Sequence, residues 1–342
     1  MLLVFFLVLM ILAPIIIRLV ESIKLEKLGI LLSYFTYCWM GFLFVFCSVS
    51  LLLDFYQLLI YLISLVSRNN LSLPVISTNL KLFIPVVLAI IISTHGYFEA
   101  NNIRIERILI KSSKIPKNIS PLKIAQISDL HLGLIVREKR LNNILEKIKI
   151  LNPDILVSTG DLLDGQGDNL YSLIRLFQSI NPKYGKYAVT GNHEFYAGLK
   201  HAINFTEGAG FRLLRGEKAV IPDVINIVGF DDLTAKRFEP NKKIEESDIL
   251  KGVSQDTFTL LLKHSPHIDK KSLGLFDLQL SGHTHNGQIF PFNLLVKLFF
   301  RHIQGLIKLS AGSQLYISRG TGTWGPPMRF LASPEVTLIE II

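Results

Sequence analysis

The 342-residue sequence predicts an α/β protein led by membrane-spanning helices, and three observations carry that prediction. The first hundred residues hold long apolar runs with few charges; beyond residue 121, short apolar runs alternate with segments of helical spacing; and several of those short runs end in Asp, Asn or His. Apolar residues make up 49% of the chain and the mean hydropathy is positive, more than a water-soluble enzyme needs, so part of the chain is expected in lipid. Of the net charge of +9, nearly all lies beyond residue 100, which suits an anionic membrane surface or a phosphorylated substrate. No dense basic run with interleaved aromatics appears, so nucleic acid is not an expected partner. Cys38 and Cys47, the only cysteines, sit in one apolar run and exclude a disulfide framework or a thiolate metal site.

Taken in order, Leu2 to Val20 is apolar apart from Arg18 and predicts a first span. It lacks the basic start and small-residue cleavage site of a signal peptide, and so reads as a retained anchor. Leu28 to Leu53 is uncharged and long enough to cross ~30 Å of hydrocarbon. Asp54 interrupts the run; Phe55 to Val66, too short to cross alone, reads as a tilted or interfacial extension of the same helix. Asn69 to Pro74 reads as a loop, and Leu80 to Phe98 as a third span, with Pro85 in its first turns, where it is tolerated. Residues 1–100 are thus the transmembrane region, and 101–120, with Arg104, Arg107, Lys111, Lys114 and Lys117, a basic juxtamembrane linker. With three crossings this linker falls on the same side as Arg18, Lys24 and Lys27, and the bias of basic residues predicts a multi-pass protein whose catalytic domain faces the cytoplasm.

From residue 121 to 342 the pattern is strand, turn, polar residue, helix. Lys123 to Ser128 has the period of a buried strand and runs into Asp129-Leu-His131. Residues 137–151 follow with Leu141, Ile144, Leu145, Ile148 and Leu151 on one helical face. Asp154 to Ser158 leads into Gly160-Asp161-Leu-Leu-Asp164, and after a helix near 169–179, Lys186 to Thr190 leads into Gly191-Asn192-His193-Glu194. Such units place ligands outside the carboxyl ends of strands. Closer-spaced strands at Val224–Phe230, Phe258–Lys263, Phe276–Ser281, Leu315–Ser318 and Val336–Ile341 imply a second, mixed sheet.

The three polar blocks, with His264 and Gly282-His283-Thr-His285, carry the chemistry. Each alone is ordinary turn composition. Together, after successive strands, they predict a site for two metal ions, which activate water against phosphorus. Residues two apart in an extended chain point to one side, so His283 and His285 are expected to face the metals together. His264, at a strand end, is preferred as ligand over His267. Nitrogen and oxygen donors fit manganese, iron or zinc. Because imidazoles coordinate when neutral, activity is expected to fall in acid and in chelator. Glu194 reads either as an acceptor behind the ligands or as a turn residue; Asp231-Asp232 as near the site or as a loop cap; His201 and His302 as surface residues.

In order and spacing these blocks match D-x-H, G-D-x-x-D, G-N-H-D/E, H and G-H-x-H, and residues 121–342 resemble the calcineurin-like metallophosphoesterase superfamily. The tail from Ser318 to Arg329, with Gly282 to Gln288, resembles the membrane-associated branch that includes UDP-2,3-diacylglucosamine hydrolases; Asn286 departs from it, where that branch often has Gly. The resemblance implies a four-layer α/β/β/α sandwich with two mixed sheets. It implies one metal held by Asp129, His131, Asp161 and His285, and another by Asp161, Asn192, His264 and His283, with a water or hydroxide between them as the nucleophile. It leaves His193 off the metals, to stabilise the transition state or protonate the leaving oxygen, and gives Asp164 the task of orienting it.

With the spans, this leads to an expected membrane-anchored hydrolase of a phosphodiester or pyrophosphate bond in a lipid-linked substrate such as UDP-2,3-diacylglucosamine. A tethered enzyme for a soluble substrate is the alternative, and a non-enzymatic membrane module on the same fold a third. One further segment, Phe290 to Ile307, mixes aromatic and aliphatic residues with Lys297 and Arg301, and reads either as a core helix or as an element lying in the membrane interface.

Overall fold

Long stretches rich in Leu, Ile, Val and Phe form three long helices, α1 (Leu2–Ser22), α2 (Glu26–Val66) and α3 (Thr78–Asn101), each long and apolar enough to cross a membrane. The structure is a computed structural model that describes residues 1–23, 25–66, 76–164, 170–242 and 244–342; the loop expected at Asn69–Pro74 lies outside them. α2 runs unbroken through Asp54 for 41 residues, or ~61 Å at ~1.5 Å per residue, so Phe55–Val66 does extend the second helix. Asp54 is matched across the helix pair by Lys81 of α3 at 3.1 Å.

Beyond α3 the chain forms β1 (Arg104–Ile110), β2 (Leu122–Ile127), α4 (Glu138–Leu151), β3 (Ile155–Ser158), α5 (Tyr171–Gln178), β4 (Lys186–Ala188), α6 (Asn192–Tyr196) and α7 (Leu199–Gly208). It continues through β5 (Arg212–Leu213), β6 (Glu217–Ile221), β7 (Ile225–Gly229), α8 (Ala235–Phe238), α9 (Glu246–Lys251), β8 (Thr259–Leu262) and β9 (Leu278–Ser281). The last elements are α10 (Phe292–Phe299), β10 (Gly305–Lys308), β11 (Gln314–Ile317) and β12 (Glu335–Ile341). The strands make two six-stranded mixed sheets, ordered β1-β12-β2-β3-β4-β5 and β10-β11-β9-β8-β7-β6.

Alternating side chains give each sheet two apolar faces. Ile124, Ile155 and Val157 of the first sheet meet Ile227, Leu260, Leu262 and Leu278 of the second in one core. Ala125 and Leu156 point the other way, against Leu141, Ile144 and Ile148 of α4, Leu173 and Phe177 of α5, and Phe205 of α7. A smaller core under α9, with Leu250, Val228, Leu261 and Phe276, covers the outer face of the second sheet. Helices, sheet, sheet and helices thus form four layers.

Two expectations are corrected here. The stretch 101–120 is not simply a linker: β1 pairs in parallel with β12 from Arg104–Glu335 to Ile110–Ile341. As an edge strand it leaves Ile105, Arg107 and Leu109 exposed and turns Ile108 and Ile110 inward, and its basic residues hide this from a reading by composition. β12, grouped by spacing with the second sheet, lies instead in the first, between β1 and β2. Chain order alone does not reveal such a return.

Candidate metal centre

All five polar blocks follow parallel strands. Asp129 and His131 follow β2, Asp161 and Asp164 follow β3, and Asn192 and His193 open α6 after β4; His264 follows β8, and His283 and His285 follow β9. The carboxyl ends of the two sheets meet, and their loops face one another. Asp129, His131, Asp161, His283 and His285 all have positive φ, from 49° to 71°. Non-glycine residues there carry ~1–3 kcal/mol of strain each, which persists only where the surroundings fix it. The expectation that His283 and His285 share one side of an extended strand is therefore wrong. β9 ends at Ser281, both histidines are left-handed, and the turn sends them to different groups.

One group is Asp129, His131 and His285, the other Asp161, His264 and His283, each with its ligand atoms within 4.8 Å of one another. In the first, His285 Nε2 lies 3.1 Å from His131 Nε2 and 3.3 Å from Asp129 Oδ1. In the second, His264 Nε2 lies 3.1 Å from Asp161 Oδ2, 3.1 Å from His283 Nδ1 and 3.2 Å from Asn192 Oδ1. Asp161 Oδ2 is also 3.8 Å from His131 Nε2, so this one carboxylate stands between the groups. Metal bonds of ~2.1 Å set neighbouring ligand atoms ~3.0–3.4 Å apart, and nitrogens that face one another at such distances converge their lone pairs on a cation. The residues present therefore fit two divalent ions.

The supports of the ligands are equally specific. His264 Nδ1 donates to the Thr159 carbonyl at 2.8 Å, which leaves Nε2 to coordinate. Asp129 accepts from the backbone N–H of His283 at 3.1 Å, and Asp161 Oδ1 from that of His193 at 2.9 Å. A Cβ on Gly191 would overlap Asp161 Oδ1, and one on Gly282 would overlap Ser128 Oγ and Asp129, so both blocks need glycine for close approach. Asn286, the departure from the branch pattern, sits at φ 51°, a conformation that Asn tolerates.

Titration directions express the same geometry. Burial opposes the charge of Asp161, yet the His264, His193 and His131 rings hold its carboxyl well below the usual range. Burial likewise opposes the charged form of His264, but Asp161 raises it well above a free histidine. Without a cation these two make an ion pair, and a cation takes the place of the proton. Burial, then Arg329 and His131, push His285 well down; burial and His264 lower His283. His193 is resisted by burial but raised to about 9, mainly by its bond to Asp164, whose Oδ1 is 2.9 Å from Nδ1. The two rings meet edge-on, with centroids of His131 and His193 4.6 Å apart, and His193 also lies within ligand reach of His131 and Asp161.

Two residues gain a definite role: Glu194, for which acceptor and turn residue were both open, and Arg329, which the sequence left without one. Glu194 is buried, and its carboxylate accepts from the backbone N–H groups of Asp161, Leu162, Leu163 and Gly191, at 2.6–3.2 Å, clamping two ligand loops together. Its signal was a charge directly after Gly-Asn-His. Arg329, fully buried, donates to the carbonyls of Arg319, Gly322 and Ala332 and reaches His285 Nδ1 at 3.2 Å. The tail motif ending at Arg329 carried that signal. The His267 carbonyl accepts from Lys263 and Gln279, and His302 is exposed. Asp231 is held away by Arg215 and Lys242, each at 2.8–2.9 Å.

Residues 122–287 match the family model of the calcineurin-like phosphoesterases. An uncharacterized metallophosphoesterase of Aquifex aeolicus is 38% identical over 255 residues, which cover 74% of this chain and 97% of that one. A zebrafish (Danio rerio) protein named as a transmembrane protein with metallophosphoesterase domain is 33% identical over 67% of this chain, and an uncharacterized metallophosphoesterase of Helicobacter pylori is 34% identical over 65%. The chain spans 55% and 60% of the length of those two relatives. With its ligand set in place and the Aquifex relative matched nearly end to end, the chain belongs to the calcineurin-like metallophosphoesterase family and is a metal-dependent phosphoester hydrolase.

Proposed function

We propose that the protein, anchored by α1–α3, hydrolyses a phosphodiester or pyrophosphate bond in a lipid-linked substrate at the cytoplasmic face of a membrane. One observation carries this reading: a cavity of about 750 Å³ opens at His193 and Asn192, and its far wall is membrane-type helix. Pro14, Ile17 and Arg18 of α1 and Tyr37 and Met40 of α2 face Asp164, His193 and Trp324 across it. A second cavity of about 500 Å³ shares Asn192 and Tyr196 and is lined by Thr234, Ser265 and Arg301. A diester or pyrophosphate has two substituents on the bridging linkage, and two cavities meeting at one cluster suit that better than a monoester.

Two divalent cations, held by Asp129, His131, Asp161 and His285 and by Asp161, Asn192, His264 and His283, would supply Lewis acidity toward the phosphoryl oxygen and an activated water. The residues do the rest. Asp164 fixes the His193 ring through Nδ1, leaving Nε2 to carry a proton toward the leaving oxygen. Because His193 lines the helix-walled cavity, the leaving group departs into it. Trp324 packs on His193 at 6.0 Å and narrows the approach of water. The basic residues from Arg104 to Lys117 support the cytoplasmic placement.

Metal-loaded protein in bilayers should turn over a panel of lipid phosphodiesters and pyrophosphates, UDP-2,3-diacylglucosamine first among them, with higher kcat/KM than an aryl phosphodiester. The reverse order would favour a tethered enzyme for a soluble substrate. A reporter enzyme fused after residue 120 and active only on the outer face would overturn the sidedness.

A further inference from the structure

Of the segment Phe290 to Ile307, expected either in the core or at the interface, Phe292–Phe299 form α10, a helix with no buried residue, while Ile303 beyond it is buried. Leu298 and Phe299 are 77% and 84% exposed, with Phe292, Leu294 and Leu295 exposed beside them. A folded domain rarely leaves so continuous an apolar face in water, and such a face marks a contact. What covers it follows from its neighbours. The Phe292 ring meets Phe44 of α2 edge-on at 6.0 Å, and Val45 and Ala89 of α2 and α3 share a cluster with Ile289 and Met328 just before α10 and in the tail. Contacts between α2 and the catalytic domain begin at Glu26, Gly29 and Tyr34, which meet Arg137, Leu134 and Ile135, and reach this cluster; beyond it Leu51 and Leu52 are exposed and apolar. α10 therefore continues the apolar surface of α2 where the catalytic domain ends. Lys297, Arg301 and Lys308, all exposed, flank it with positive charge.

The geometry points to α10 as an interfacial helix that lies in the lipid leaflet surrounding α2, with its cations at anionic headgroups. Apolar side chains on one short helix and basic residues at its margins are what such a surface takes. The placement rests on α2 being embedded in a membrane, and it has a consequence for the site. Phe300, directly after α10, meets the His283 ring at 5.4 Å, and Phe299, Phe300 and Arg301 form one rim of the second cavity. Eight residues of helix, ~12 Å, thus join the lipid-facing wall to the metal ligands, and the centre opens at the depth of lipid phosphates.

The test uses the full chain in bilayers of phosphatidylcholine and phosphatidylglycerol. In a background where Cys38 and Cys47 are replaced by Ser, an environment-sensitive fluorophore is attached at Leu298→Cys, with Leu51→Cys on α2 and Val220→Cys on β6 as references. Spin-labelled lipids should remove most of the emission at position 298, as at 51, and little at 220; emission at 298 that survives as at 220 overturns the proposal. This readout is independent of turnover, so it stands apart from the identity of the substrate. As a second arm, Leu298→Asp should raise KM for a bilayer-borne phosphodiester about tenfold and leave kcat/KM for an aryl phosphodiester unchanged. Equal loss on both substrates, or no loss on either, counts against it.

Discussion

The catalytic domain and the helices α2 and α3 bury opposite kinds of residue. Around the metal centre the largest side chains are inside: Phe177, Phe205, Phe258 and Arg329 are almost wholly enclosed. In α2 the buried positions are Gly29, Ser33, Thr36, Gly41 and Val45, and in α3 they are Pro85, Ala89, Gly96 and Ala100, while Leu51, Phe55, Phe83 and Ile91 face outward. In water, burying large apolar groups drives folding. Where the surroundings are themselves apolar, that force vanishes and helices associate through small residues that let backbones approach. The two regions follow two different packing rules, and the metal centre lies where they meet.

The sharpest way to break the comparison is at the polar centre. Asp161→Asn removes the one carboxylate that stands between both ligand groups. A loss of about 4 kcal/mol of transition-state stabilisation, ~10³-fold in kcat/KM, is expected, with reduced metal content and an unchanged far-ultraviolet circular dichroism spectrum. Exhaustive chelation should abolish turnover of wild type equally. Activity that survives chelation would refute the two-metal mechanism.

Next in size is His193→Ala, expected to lower kcat by ~10²-fold on a substrate with an alkoxide leaving group and much less on a nitrophenyl ester, whose leaving group needs no proton. Metal content should not change. Asp164→Asn, which loosens the His193 ring held at 2.9 Å and also the His131 ring whose Nδ1 lies 3.5 Å away, should cost ~10-fold or more on the same alkoxide substrate. An equal loss on both leaving groups would mean that His193 binds metal rather than carrying a proton.

That contrast explains what the sequence could disclose. The candidate ligands are few, polar and tied to strand ends, so the gathering of Asp129, Asp161, Asn192, His264 and His283 at one place was readable from residue type and order. Their supports are less so, because Glu194 and Arg329 act through backbone groups brought in from distant loops, and no local spacing encodes that. The same holds for β1 and β12, whose pairing joins residues more than 200 positions apart. The three apolar helices were legible from composition alone, and so was the continuation of the second past Asp54. Composition did not say which faces would dock on the catalytic domain, since Gly41 and Gly96 look like helix weaknesses until Met328 and Arg329 are seen against them. Nor did apolar spacing distinguish a core helix from α10, because both use the same residues and only the surroundings differ.

The docking of the two regions gives a smaller, sharper test. A Cβ on Gly96 would come within 3.0 Å of the Arg329 carbonyl oxygen, whose own N–H donates to the Gly96 carbonyl at 2.9 Å. Gly96→Val should push α3 from the tail and cost about 1–3 kcal/mol, read as a lower Tm of the catalytic domain in bilayers. Because Arg329 also reaches His285, turnover should fall with it. Gly29→Ala, in α2, where the backbone is helical and a Cβ meets nothing nearer than 3.5 Å, controls for the loss of a helix glycine itself.

The smallest effect is expected at Tyr34→Phe. Its hydroxyl donates to the Ile135 carbonyl at 3.3 Å, a single long bond between α2 and the loop after β2. Deleting it removes at most about 1 kcal/mol, and the ring keeps its packing. Tm should therefore fall by no more than a few degrees, and kcat/KM on a lipid and on an aryl diester should both stay unchanged. A selective loss on the lipid diester would be the informative surprise, because Tyr34 lies on the same helix as Tyr37 and Met40, which wall the cavity at His193. It would mean that the seating of α2 on the catalytic domain sets the width of that cavity, and that the small-residue packing of the helices governs which substrate reaches the metals.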